Sequence, residues 1–219
     1  MKIQLPNVSL VAPTGAHITE TIVAIQKCCE GIDFGAVKLI THEKPKNLPE
    51  NITFEKSDKM DTYEKYNDYV FRNLTNHVKT SHCLLIQYDS WVIHPEVWNY
   101  KWLEYDYIGA PWAWKENSYI AWSDRDEHVR VGNGGFSLRS KKLLDIPNDN
   151  NLPLVQEQGY YNEDGNICCY HRTIFLALNT KYAPIEVAAK FSYENPVTEN
   201  FGVKTFGFHK NFPPYKIGE

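Results

Sequence analysis

Three short apolar runs rich in β-branched residues, separated by stretches with helical periodicity, constrain this chain more than any other feature. The first, residues 8–12 (VSLVA), lies between Pro6 and Pro13 and reads as a buried strand. Thr14 and Gly15 then open a helix with apolar positions at Ile18, Ile22, Ile25 and Cys29, closed by Gly31. Residues 37–41 (VKLIT) form the next predicted strand, and Pro45 and Pro49 mark a loop. Asp61 can cap a second helix whose stripe is Tyr63, Tyr66, Val70, Leu74 and Val78. Residues 82–87 (HCLLIQ) follow as a third apolar strand. Strand–helix–strand–helix–strand predicts an α/β fold with a mostly parallel, Rossmann-like sheet covered by helices on both faces.

The second half is less regular. Pro95 starts a short helix (WNYKWLEY), and residues 106–110 (DYIGA) read as a strand followed by a polar, Trp-bearing loop through Arg130. Residues 131–139 (VGNGGFSLR) are a glycine turn entering a strand, residues 140–144 a helical turn and residues 145–160 a loop. Asn162 caps a helix expected to run from Glu163 to about Leu178. Residues 184–190 (PIEVAAK) are expected as a strand, and the tail carries TFGFHKN. No repeat or low-complexity linker divides the chain. The expectation is one domain over residues 1–219, with a nucleotide-binding half (1–90) and an acceptor-binding, catalytic half (91–219).

Charge and composition exclude several classes. Twenty-three Lys and Arg against 27 Asp and Glu leave a net charge of −4 with no basic block, which argues against nucleic acid as a partner. No apolar stretch approaches the roughly 18–20 residues that span a bilayer, and the N-terminus lacks the apolar run of a signal peptide. Five cysteines without C-x-x-C spacing predict reduced, mostly buried thiols in a cytoplasmic protein. The sequons at Asn7, Asn51 and Asn73 are then chance matches. Five of the six Trp crowd into residues 98–122. Such a stretch is either a second apolar cluster beneath a loop or a wall for sugar rings, whose C–H faces pack on aromatic planes. On composition alone the apolar cluster is the expectation.

Four places can carry chemistry. Asp89, at the end of the third strand after Gln87 and Tyr88, is aimed at the crevice where open α/β sheets bind ligands. A carboxylate there suits Mg²⁺ or Mn²⁺ bound to diphosphate oxygens, or simply bonds turn amides. Gly132, Asn133, Gly134 and Gly135 offer close backbone approach or positive φ, either for a ligand or for a tight bend. Glu163 and Asp164 open a helix whose dipole keeps a carboxylate ionised, as a base must be; acids also decorate helix starts generally. His209 and Lys210, in FGFHK, can supply an imidazole ligand and a phosphate cation, or the His can be structural.

In this order the four resemble the nucleotide-sugar glycosyltransferases of the GT-A fold. More narrowly, the chain is similar to a family of bacterial, fungal and viral glycosyltransferase-like proteins. The resemblance rests on QYDSW (87–91), EYDYIGAPW (104–112), VGNGGFSLRS (131–140), NED (162–164), KFSYE (190–194) and FGFH (206–209), and it runs from residue 8 to residue 209. It implies that Asp89 is the last acid of a metal-binding D-x-D motif and that His209 completes the metal site, with Mn²⁺ or Mg²⁺ as cofactor. Asp164 then falls on the catalytic base of inverting members, with Glu163 beside it. Gly134 and Gly135, with Asn133, fall near donor sugar and acceptor. Ala12 and Thr14 lie where the nucleoside is held, joined by Tyr66 and Asn67. Lys210 assists the diphosphate, and Trp112 and Trp114 become an acceptor wall. Gln87 departs from the pattern by replacing the first acid of D-x-D, and an amide is a weaker metal ligand. The implied reaction transfers a sugar from a nucleotide-diphosphate donor to a glycan or other hydroxyl acceptor. A metal-dependent nucleotide-sugar hydrolase and a non-catalytic carbohydrate-binding module are the alternatives.

Overall fold

The computed structural model describes residues 2–113, 123–124, 129–156 and 162–214. Its nine strands, counted among these residues, are β1 (Ile3–Pro13), β2 (Ile32–Thr41), β3 (Thr53–Lys56), β4 (His82–Ile86), β5 (Ser90–Val92), β6 (Tyr107–Ile108), β7 (Phe136–Ser140), β8 (Ser192–Tyr193) and β9 (Gly207–His209). Six make the central sheet in the order β3-β2-β1-β4-β7-β6. The first four are mutually parallel, and β7 runs antiparallel between β4 and β6. A second, three-stranded sheet has the order β5-β9-β8.

Period-two alternation in the strands feeds two cores, one on each face of the sheet. Leu10, Ala12, Leu84 and Ile86 pack with Ala24, Ile25 and Cys28 of helix α1 (Ile18–Gly31), while Val11, Cys83 and Leu85 face Val70 of α2 (Tyr63–Arg72) and Leu143 of α3 (Lys141–Asp149). Trp98 and Trp102 belong to the first core. Trp102 meets the rings of Phe191 and Phe206 at 5.3 and 5.5 Å, so this part of the Trp-rich stretch is an apolar cluster.

Local chemistry revises several expected boundaries. Thr62, not Asp61, caps α2, accepting from the Lys65 amide at 3.2 Å, while Asp61 pairs with the Lys65 ammonium at 2.7 Å. Tyr63 points outward, 57% exposed, and Asn67, Tyr69, Val70 and Phe71 form the buried face. Residues 98–105 make a 3₁₀ turn, Tyr100–Glu104, rather than an α-helix. Ser140 caps α3, which continues to Asp149 through Pro147 instead of ending after one turn. The helix expected from Glu163 to Leu178 is broken into α4 (Glu163–Gly165), a π-helical turn (Asn166–Tyr170) and α5 (Arg172–Ala177). Asn166 causes the break: its side chain bonds both backbone groups of Val155, pinning the turn to the preceding loop.

Residues 184–190 are not a strand. They enter α6 (Ile185–Phe191), where Pro184 occupies the cap position and Ala188, Ala189 and Phe191 are buried. The I-E-V alternation imitates a strand, but alanines at helical spacing and an N-terminal proline favour the helix. All five cysteines are free. Among the described residues, no helix is long and apolar enough to cross a membrane.

Candidate functional site

A cavity of about 610 Å³ opens at the carboxyl ends of β1 and β4. Parallel pairing places Thr14 and Asp89 at one edge, because each follows the last residues of its strand. The antiparallel β7 brings its entry loop to that same edge: Ile86 pairs with Phe136, and Gln87 N–H donates to the Gly135 carbonyl at 3.1 Å. The site residues expected from the sequence line this cavity except Ala12, Trp114 and Gly132, the last packed under the Trp112 ring. Ala12 is fully buried in the core beneath it, so its side chain cannot reach a nucleoside. Trp114 lies outside the described residues.

Close approach, rather than left-handed backbone, explains the glycines. Positive φ falls on Asn133 (67°), whose carbonyl accepts from buried Tyr107 at 3.1 Å and whose side-chain oxygen accepts from Gly135 N–H at 3.1 Å. A Cβ at Gly132 would overlap the Trp112 ring, one at Gly134 the Glu163 carboxylate, and one at Gly135 the His209 imidazole. The loop is glycine-rich because three side chains are packed against its backbone.

The two acids at the start of α4 have separate partners. Glu163 Oε1 meets Arg139 Nη2 at 2.7 Å, and both side chains are buried. Arg139 also donates through Nε to Ser137 and lies over the Tyr107 ring at 5.4 Å. Asp164 is buried too; Oδ2 accepts from Gly134 N–H and Oδ1 from Gly165 N–H, each at 2.7 Å. Burial raises the Asp164 pKa to about 7, with the Glu163 charge adding to the rise and Arg139 and the two amides opposing it. Asn67 has its amide occupied, accepting from Glu163 N–H at 2.9 Å and donating to Tyr63 O at 2.8 Å, so it braces the acidic turn.

On the opposite wall, buried His209 sits between oxygens. Nδ1 is 3.1 Å from Glu194 Oε1, and Nε2 is 3.1 Å from Gln87 Oε1 and 3.6 Å from Asp89 Oδ1. Gln87 also donates from its amide nitrogen to Tyr66 Oη at 2.9 Å. Asp89 Oδ1 is buried without a hydrogen-bond partner. A partnerless carboxylate oxygen facing an imidazole nitrogen fits a divalent cation. Among the described residues no group of three or more His, Cys, Asp or Glu is arranged as a metal cage. A cation placed there would take at most these two side chains as ligands and the rest from elsewhere. Burial works to raise the Glu194 pKa, but His209 and Lys210 bring it below the ordinary carboxylate value. Lys210, 61% exposed at its side chain, lies 3.7 Å from Glu194.

Three residues at the site were not singled out from the sequence. His17, at left-handed φ (54°), stacks on Tyr88 at 4.2 Å on the cavity rim. Glu194 and Arg139 stand inside KFSYE and SLRS, where nothing local distinguishes them from surface charges.

A family model described as a protein of unknown function (DUF5672) matches residues 49–209. The chain belongs to that family. The matched span contains Asp89, the glycine loop, the acidic doublet and His209. No curated protein matches the chain in sequence. Among solved structures, one similar chain is a glycosyltransferase involved in glycosylation of the major capsid of PBCV-1, at 10% identity and TM-score 0.52, covering 92% of this chain and 91% of that one. Another is an active-site mutant of LgtC, at 12% identity and TM-score 0.53, covering 94% and 88%. Both likenesses are of fold, and with the mostly parallel six-stranded sheet they make this DUF5672 chain GT-A-like.

Proposed function

We propose that the chain is a glycosyltransferase that moves a sugar from a nucleotide-diphosphate donor onto a hydroxyl of a glycan or similar acceptor, with inversion at the anomeric carbon. One observation carries this reading: a single cavity at the carboxyl edge of a GT-A-like sheet holds a cation-ready pair, Asp89 and His209, and a buried carboxylate, Asp164, whose pKa is raised to about 7.

Each residue's part follows from its surroundings. Thr14, His17 and Tyr88 border the nucleoside end, where a flat base can lie against the His17–Tyr88 stack. A divalent cation such as Mn²⁺ at Asp89 and His209 would neutralise charge on the departing diphosphate. Lys210 adds a mobile positive charge at the rim. Glu163 is spent on Arg139, leaving Asp164 as the acid of the doublet free for proton transfer. Asp164 takes the proton of the acceptor hydroxyl as that oxygen attacks the anomeric carbon opposite the leaving diphosphate. A pKa near 7 matches this task, since a base is most effective when its pKa lies near the working pH. Trp112, packed on Gly132 at the cavity wall, forms the acceptor side. The halves 1–90 and 91–219 then act as one domain around the ligand, and the free thiols suit a reducing, cytoplasmic setting.

A thermal-shift screen of nucleotides and nucleotide sugars, with and without Mn²⁺, tests the reading. One donor class should raise Tm in a Mn²⁺-dependent way. A screen in which no nucleotide sugar stabilises the protein would contradict it.

A further inference from the structure

The small sheet β5-β9-β8 sends Val92 into the first core, and its register shows what else it arranges. β5 and β9 are antiparallel with Ser90 opposite His209, which leaves Asp89 beside Lys210; Lys210 N–H donates to the Asp89 carbonyl at 3.1 Å. β8 and β9 are parallel with Tyr193 opposite Phe208, so the next residues on each strand, Glu194 and His209, are brought together. The central strand thus ends on an imidazole, and each neighbouring strand adjoins a carboxylate on one side of it.

The side chains use this register. Glu194 Oε1 is 3.1 Å from His209 Nδ1, and Asp89 Oδ1 is 3.6 Å from Nε2. Glu194 is itself held, because Asn211 donates to its backbone carbonyl at 2.8 Å and Asn133 bonds its carboxylate. With the Nδ1 hydrogen donated to Glu194, the Nε2 lone pair faces Gln87 Oε1 at 3.1 Å and the buried Asp89 Oδ1 at 3.6 Å, and the Gln87 amide nitrogen is turned away to Tyr66. Three electron-rich atoms then face one another with no hydrogen between them.

We propose that Glu194 is a positioning residue that orients His209 and presets a two-ligand cation site before any donor arrives. This rests on the cation reading of Asp89 and His209 given above. Carboxylate partners of metal-bound histidines fix ring orientation and tautomer, and their loss commonly weakens metal binding about 10–100-fold.

The intact chain titrated with Mn²⁺ alone, followed by loss of the free-ion electron paramagnetic resonance signal, tests this directly. Glu194→Ala should weaken Mn²⁺ binding about 10–100-fold. Glu194→Gln keeps an oxygen that accepts from Nδ1 and should stay within about threefold of wild type. Nitrogen-15 NMR of the metal-free wild-type protein should find the His209 hydrogen on Nδ1, a readout that does not depend on any variant folding. Equal Mn²⁺ affinity in wild type and a folded Glu194→Ala, a wild type that binds no Mn²⁺, or a hydrogen on Nε2 would each overturn the proposal. A chain that shows this Mn²⁺ dependence but is stabilised by no nucleotide sugar would keep Glu194 in its role while ending the transferase reading.

Discussion

Asp164 and Glu163 are adjacent in sequence yet differ in what their loss should do. Glu163 neutralises Arg139 in the interior, so Glu163→Gln leaves a buried guanidinium without its counter-charge. Breaking such a pair by removing one partner costs about 3–5 kcal/mol, and urea denaturation of Glu163→Gln should show a loss of that size. Asp164 is instead held by two backbone amides and carries the raised pKa. Asp164→Asn should fold, bind donor and lose about 10²–10⁴-fold in turnover, measured under saturating donor. The sign of the pH dependence follows from the same group. A base works deprotonated, so kcat/KM should fall about tenfold per unit as pH drops below about 7, and the limb should vanish in Asp164→Asn. A wild-type profile flat from pH 5 to 8 would remove Asp164 as the base.

At the level of elements, the glycine loop and β7 connect the two walls of the cavity. Gly134 admits Glu163 and Gly135 admits His209, so the loop's composition reports on residues nearly 30 and more than 70 positions away. Gly135→Ala should push the imidazole off its place and abolish Mn²⁺-dependent donor binding by calorimetry, with little change in far-ultraviolet circular dichroism. Much of this level was legible in the sequence. The β-branched runs at residues 8–12, 37–41 and 82–87 located three central strands, and Asp89, the glycine loop, the acidic doublet and His209 all line the cavity. Other parts were not legible, for identifiable reasons. PIEVAAK fits both a period of two and a short helix, and only burial of Ala188, Ala189 and Phe191 decides between them. Ala12 came with Thr14 from the family resemblance as a nucleoside contact, whereas β1 runs on to Pro13 and turns Ala12 into the core. Glu194 reaches His209 only through the register of strands two and three residues long, which no local pattern encodes.

On the proposed reading, the whole molecule places two chemistries in one opening: a cation-binding pair beside the β5-β9-β8 sheet, and a proton acceptor from the β7–α4 side. Thr14 and Gln87 approach from the first half of the chain, and Gly134, Asp164 and His209 from the second, so the site exists only when both halves are folded together. Ligand binding should therefore stabilise the entire fold, by about 2.7 kcal/mol when the donor is at a hundred times its Kd. The most direct measurement is calorimetry of the donor found by screening, with and without Mn²⁺, on wild type, Asp89→Ala and Asp164→Asn. The account predicts Mn²⁺-dependent binding in wild type and Asp164→Asn, and its loss in Asp89→Ala. Undiminished, metal-independent binding by Asp89→Ala would contradict it.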